Sequence, residues 1–170
     1  MKKMKIYARK YVWYRDLIFQ CQILFDSSIQ HLMFDNKQKV IRYLLPAENK
    51  IKYVAIKEQD GKRTRIGIAQ FTRDLKTNCW WIAGFIPTPM QNKGLGIYVG
   101  VASINEFFKR NPDCSVYSGS FSYNTRAVRT TNSLGFTIYV QDERHFEGAL
   151  TKEQFNNEFV NYIKERCHIE

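Results

Sequence analysis

The chain changes its hydrophobic period part-way along. Residues 5–13 alternate loosely and predict a first strand. Leu17, Cys21, Leu24, Phe25, Ile29, Leu32 and Met33 then recur at intervals of three and four, the stripe of an amphipathic helix, with Asp16 placed to cap its start. A shorter helix is expected over 35–45, with Val40, Ile41, Leu44 and Leu45 inward and Pro46 as its stop. From residue 51 the period drops to two. Residues 51–58 and 63–72 read as strands joined by the hairpin turn Gln59-Asp60-Gly61-Lys62. After a polar turn at 73–78, residues 79–86 are apolar almost throughout and predict a central strand buried on both faces. Pro87 and Pro89 end it.

The remainder alternates between the two periods. Ile97, Val101, Ile104 and Phe108 share one helix face, and Asn111-Pro112 closes that helix. Residues 114–121 predict a strand, 124–134 a short helix closed by Gly135, and 136–141 another strand. A final helix is expected after Thr151, with Phe155, Phe159, Tyr162 and Ile163 as its apolar positions. This order predicts one α/β domain over residues 1–170, built on a mixed sheet.

Composition narrows the class. With 44% hydrophobic and 15% aromatic residues the chain carries a full core. Cys21, Cys79, Cys114 and Cys167 are widely spaced, with no zinc pattern, so reduced thiols and a cytoplasmic location are expected. Charged residues interrupt every apolar run before it reaches membrane-spanning length, so no membrane partner is expected. The formal net charge is +10, and it is uneven. Residues 1–100 carry 18 basic and 7 acidic residues, whereas residues 101–170 carry 8 and 9. Such a field attracts polyanions, either nucleic acid or a phosphate-rich cofactor. Nucleic acid is not favoured, because no Lys/Arg block is dense enough to make a recognition module.

The chemistry concentrates at Gln91-Asn92-Lys93-Gly94-Leu95-Gly96, between a buried strand and an amphipathic helix. A helix N-terminus offers unpaired N–H groups and partial positive charge. Glycines let an anion approach the backbone, so the segment suits a pyrophosphate. It is neither a Walker loop nor a dinucleotide GxGxxG turn. About 30 residues on stand Asn124-Thr125-Arg126-Ala127 and then Leu134-Gly135-Phe136.

Residues 51–141, with Gln91, Gly94 and Gly96, then Asn124 and Ala127, then Leu134-Gly135-Phe136 in successive elements, resemble the GNAT superfamily of acyl-CoA-dependent N-acyltransferases. The resemblance implies a GNAT-like mixed, mostly antiparallel splayed sheet flanked by helices, open between the strands at 79–86 and 114–121. It implies acetyl-CoA as acyl donor, its pantetheine paired with the backbone around Phe85 and Ile86. Main-chain amides of Asn92, Lys93, Gly94, Leu95, Gly96 and Ile97 would hold the pyrophosphate beside Gln91. Asn124 would contact the pantetheine arm, and Arg126 or Arg129 are candidates to reach phosphate. Trp80 and Trp81 read as core or cleft wall.

Two departures stand out. Pro87 precedes Gln91 by four residues, where the family usually has three. Where many members place a thiolate-protonating tyrosine, this chain has Thr131. No catalytic residue can therefore be assigned from sequence. Glu58 is a candidate base, Tyr123 and Tyr139 are candidate acids, and His145 reads as surface. No metal site or covalent nucleophile is visible. The expected reaction is direct acetyl transfer to a primary amine of a small molecule or peptide, by a monomer or homodimer. The alternatives are a catalytically silent acyl-CoA-binding regulatory domain and a basic protein that binds RNA or acetylates aminoacyl-tRNA.

Overall fold

The computed structural model describes residues 4–27, 29 and 37–167. Its elements are β1 (Lys5–Lys10), α1 (Trp13–Leu24), α2 (Lys37–Leu44), β2 (Lys50–Gln59), β3 (Lys62–Arg73), β4 (Trp80–Phe85), α3 (Leu95–Arg110), β5 (Val116–Phe121), α4 (Thr125–Ser133), β6 (Thr137–Gln141), β7 (His145–Leu150), α5 (Lys152–Phe155) and α6 (Glu158–Cys167). The strands form one seven-stranded sheet in the order β1-β2-β3-β4-β5-β7-β6. Every neighbouring pair is antiparallel except β4 and β5. This is the mixed, mostly antiparallel sheet that the resemblance implies.

Side chains alternate across a strand, so each strand feeds two layers. On one face Tyr53, Phe71, Val116 and Leu150 pack under α3 and α6, around Ile104, Phe107 and Val160. On the other, Val54, Ile68 and Phe85 pack under α1 and α2, around Ile23, Leu24 and Val40. The β2–β3 hairpin turns at Asp60 and Gly61, with φ of 54° and 75°. Two successive positive φ values match the twist of the flanking strands.

Several expectations are corrected. The strand β4 is central but only half-buried along most of its length, because it borders an open cleft rather than two packed layers. The inward line of α1 is Asp16, Gln20, Ile23 and Leu24, while Phe25 is exposed. Leu32, Met33 and Asp35 lie outside the described residues. In α2, Val40 is inward but Ile41 and Leu45 face out. The final helix is two, α5 and α6, and Tyr162 is exposed. A capping box between Thr151 and Gln154 starts α5. The strand β7 was not foreseen. It inserts between β5 and β6, with Phe146, Gly148 and Leu150 on its buried side.

Asp16 is not a cap. The α1 N-cap position is Val12, and Asp16 is wholly buried one turn in. Arg9 donates two bonds of 2.6 Å to its carboxylate, Val12 N donates at 2.9 Å, and Arg65 Nε lies at 3.2 Å. Burial pushes this carboxyl up, but the Arg9 bonds, the Val12 amide and the two guanidinium charges outweigh it and hold it below its ordinary value.

Lys52 is the second buried charge. Its Nζ donates to Gln20 Oε1 at 3.3 Å and to the carbonyls of Tyr43 and Leu44 at 2.6 and 3.1 Å, closing the end of α2. Burial, assisted by the Lys50 charge, brings it down to about 8. Above that pH the folded chain has lost a proton that the unfolded chain still holds, so stability should rise with pH. Above pH 10 the sign reverses, because burial pushes Tyr11 and Tyr139 up to about 12. Urea denaturation from about pH 7.5 to 9.5 should therefore show wild type gaining on Lys52→Met. A constant difference would mean that Lys52 does not titrate in this window.

Candidate active site

The cleft begins where the sheet comes apart. The parallel ladder of β4 and β5 holds only Trp80–Val116, Trp81–Tyr117 and Ile82–Ser118. Beyond it Ala83–Phe85 and Gly119–Phe121 no longer pair with each other, and a cavity of about 810 Å³ opens between them. It passes through the sheet. Gly96, Gly100, Thr131 and Leu134 line it on the α3 face, and Tyr43, Gln70, Trp81 and Ala83 on the α1/α2 face.

On the α3 face, a short 3-10 turn, Thr88–Met90, follows Pro87 and absorbs the longer connection to Gln91. Asn92 and Gly94 have φ of 60° and 70°, and Gly94 occupies the α3 N-cap position with no side-chain cap. Among the described residues no backbone hydrogen bond of a loop uses an amide from Asn92 to Ile97. The first turn of α3 thus keeps free donors, as a helix N-terminus does unless something caps it. A Cβ on Gly96 would lie 3.3 Å from Thr130 Oγ1 and 3.5 Å from Ile86 Cδ1, so this glycine keeps the space over the turn clear.

Side chains lock the turn. Gln91 Nε2 donates to Ile86 O at 3.1 Å, and Arg126 Nη1 donates to Gln91 Oε1 at 2.6 Å, tying α4 to the glycine segment. Asn124 is buried and caps α4, its Oδ1 accepting from Ala127 N at 3.2 Å, while its Nδ2 donates to Ser120 Oγ at 3.3 Å. Phe85, Ile86, Gln91, Gly96 and Asn124 all line the cavity. Lys93 and Arg129 are exposed beside it, outside its lining. Thr131 is buried, its hydroxyl 3.4 Å from Ser118 Oγ.

The opposite face carries Tyr117, Gly119 and Glu147, which sequence reasoning passed over, beside Trp81 and Tyr139, which it named. Gly119 is the first β5 residue past the fork. A Cβ there would lie 3.4 Å from the Trp81 ring and 3.5 Å from Glu147 Cγ. Trp81 and Glu147 therefore flank a niche that glycine leaves open. Tyr117 packs against Trp81 with ring centroids 5.6 Å apart, and Tyr139 Oη donates to Glu147 Oε2 at 3.0 Å. Alternation in residues 145–150, with Glu147 on the polar side, was the available signal.

The other candidates lie elsewhere. Glu58 accepts from Arg63 Nε at 2.9 Å at the far end of the β2–β3 hairpin and does not line the cavity. Tyr123 is exposed and stacks on Phe121. Tyr139 is held at about 12, first by burial and then by Glu147, which makes it a weak acid. His145 lines the rim with its Nδ1 3.2 Å from Asp142. Among the described residues no cluster suits a metal ion, and no helix is long and apolar enough to cross a membrane.

No protein-family model matches the chain, and no curated protein matches it in sequence. Solved structures do match. One is an aminoglycoside acetyltransferase, AAC(6')-Ib, in complex with paromomycin and acetyl-CoA, at TM-score 0.69 and 18% identity over 91% of this chain and 97% of that one. Another is a spermidine N-acetyltransferase, SpeG, from Vibrio cholerae, at TM-score 0.67 and 13% identity over 90% and 97%. A domain from Methanocaldococcus jannaschii matches at TM-score 0.68 and 16% identity over 87% and 100%. The motifs, the forked sheet and these neighbours converge: the chain has the GNAT fold shared with aminoglycoside and spermidine N-acetyltransferases.

Proposed function

We propose that this protein is an N-acetyltransferase that moves an acetyl group from acetyl-CoA to a primary amine within a ternary complex. One observation carries the reading: a through-sheet cavity at the β4–β5 fork meets the uncapped start of α3 where Gly96 keeps it clear. Structural neighbours solved with acetyl-CoA or coenzyme A support it.

The residues divide the work by face. Amides of Asn92 to Ile97 receive the pyrophosphate, with Arg126 and Lys93 adding positive charge. The edge of β4 that faces β5 beyond their shared ladder, near Phe85 and Ile86, accepts the pantetheine arm in the manner of an added strand. Asn124, fixed by its own cap, bounds the arm from α4. The cosubstrate supplies an activated acetyl thioester. The protein brings the amine to it through the fork and excludes bulk water, which removes much of the barrier. A panel of amines assayed for thiol release tests the activity. A panel without any release would leave a silent acyl-CoA-binding domain as the better reading.

Thr131 is not the acid in this scheme. A hydroxyl of very high pKa is a poor proton donor near neutrality, and this one faces Ser118 in a buried contact. With no acid side chain assigned, water would supply the proton to the leaving group. Thr131→Val keeps the shape, so turnover should fall less than about tenfold, or roughly 1.4 kcal/mol in the barrier. A hundredfold loss with unchanged coenzyme A affinity would place the hydroxyl in the chemistry.

A further inference from the structure

The outward face of α1 is more apolar than its inward one. The helix buries Asp16, Gln20, Ile23 and Leu24, and the two polar members are held by Arg9, Arg65 and Lys52 from β1, β3 and β2. Its outward line is Tyr14, Ile18, Cys21 and, at the C-cap, Phe25. Tyr14 is 86% exposed, Ile18 74% and Phe25 56%, and Cys21 is half-buried among them. At 3.6 residues per turn these four fall within about 60° of arc. A helix that serves a single core carries its apolar stripe inward and its polar residues outward. Apolar side chains scattered singly over a surface mean little, but a continuous line of them marks a contact.

The line fits a second copy of itself. Its steps from 14 to 25 are four, three and four, the seam of a helix pair. They also read the same in both directions. Turned end for end about a two-fold axis between Phe19 and Gln20, a second α1 lays the partner's Phe25 against Tyr14 and the partner's Cys21 against Ile18. Each contact then occurs twice, as closed two-fold symmetry requires. Charge favours this direction over a parallel one. Arg15 is exposed near the start of the line, Asp26 follows its last residue, and both fall on the border marked by Gln22. Antiparallel pairing brings each Arg15 towards the partner's Asp26 and sets the two helix dipoles head to tail. Parallel pairing would set Arg15 against the partner's Arg15.

The area is sufficient as well. Trp13, Tyr14 and Phe25 are each more than half exposed, and at about 150–250 Å² for a whole aromatic side chain they offer roughly 300–500 Å² per copy. With Ile18 on the seam and Leu17 and Gln22 on its borders, two copies together reach about 1,000 Å², the size at which a specific interface begins. Among the described residues none of α1 lines the cavity at the fork, so pairing leaves both cavities open.

We infer that α1 is the contact of a homodimer, in which two copies of this chain lie antiparallel along Tyr14, Ile18, Cys21 and Phe25. The inference stands apart from the acetyltransferase reading.

Sedimentation equilibrium of the full chain at about 100 µM tests it, a concentration at which a dimer of micromolar dissociation constant is nearly complete. Wild type should show twice the chain mass of 20.1 kDa. Ile18→Glu places a charge at a site open in the single chain, so it should be monomeric and, in dilute solution, melt like wild type. A second variant reports the direction. In Ile18→Cys the introduced thiol should form a disulfide with the partner's Cys21 under air oxidation, identified by peptide mapping, and adding Cys21→Ser should abolish it. A monomeric wild type overturns the inference, and so does a dimer that a folded Ile18→Glu leaves intact. If Ile18→Glu does not fold, the cross-link decides, and absence of the disulfide to Cys21 overturns the inference. A disulfide between two introduced thiols that survives Cys21→Ser would overturn the antiparallel register.

Discussion

Gly96→Val should raise the dissociation constant for coenzyme A at least a hundredfold, or about 2.7 kcal/mol. The side chain enters where the wild type keeps only a hydrogen. A Cβ already comes within 3.3 Å of Thr130 Oγ1 and 3.5 Å of Ile86 Cδ1, and the valine methyls extend further over the first amides of α3. Those amides have no other cap. The fold should lose about 1 kcal/mol by crowding, at the low end for an overfilled site. Binding and folding therefore part company. Saturating wild type at a hundred times its dissociation constant adds about 2.7 kcal/mol of stability, worth a melting rise of roughly 5–10 °C for a chain this long. The valine variant should show almost none. Normal coenzyme A binding by Gly96→Val would move the phosphate site elsewhere.

The second large effect concerns the other end of the molecule. Asp16→Asn keeps the side chain's shape but puts an amide donor among the guanidinium donors of Arg9 and Arg65. Breaking a buried pair by removing one partner costs about 3–5 kcal/mol. Arg65 is partly exposed and can turn to water, so the lower end, about 3 kcal/mol, is expected. The carboxyl sits below its ordinary 3.8 in the folded chain, so its contribution is full above that pH and fades as pH falls through the folded value. Urea melts near pH 7 should separate the two proteins clearly, and the gap should narrow in acid. A variant within roughly 0.5 kcal/mol of wild type would mean that the cluster does not hold β1, α1 and β3 together.

These two sites differ in how far the sequence discloses them. The glycine turn is local: Gln91, Gly94 and Gly96 are close in the chain, and the strand before and helix after them announce themselves by period. Asn124 likewise caps its own helix. The Asp16 cluster draws Arg65 from 49 residues away, and Lys52 meets Gln20 across 32. Apolar counting cannot choose Asp16 and Gln20 as inward residues, because their burial is decided by distant partners. The α1/α2 face of the cavity is hidden for a related reason. Trp81, Gly119 and Glu147 lie on three strands that only the order β4-β5-β7 makes adjacent. The strand β7 itself was obscured by Gly148, which weakens an already short alternation.

The three residue pairs between β4 and β5 also make a seam. On one side lie β1 to β4, on the other β5, β7 and β6, and few main-chain hydrogen bonds cross the boundary. The long helix α3 bridges it, packed on both β3 and α4. A strand-like ligand wedged into the fork would stitch the two leaves along the stretch beyond their shared ladder, from Ala83 to Phe85 and from Gly119 to Phe121. The cosubstrate would then be a mechanical part of the sheet as well as its cargo. Each release would return the leaves to being joined by their shortest zip and one helical strut.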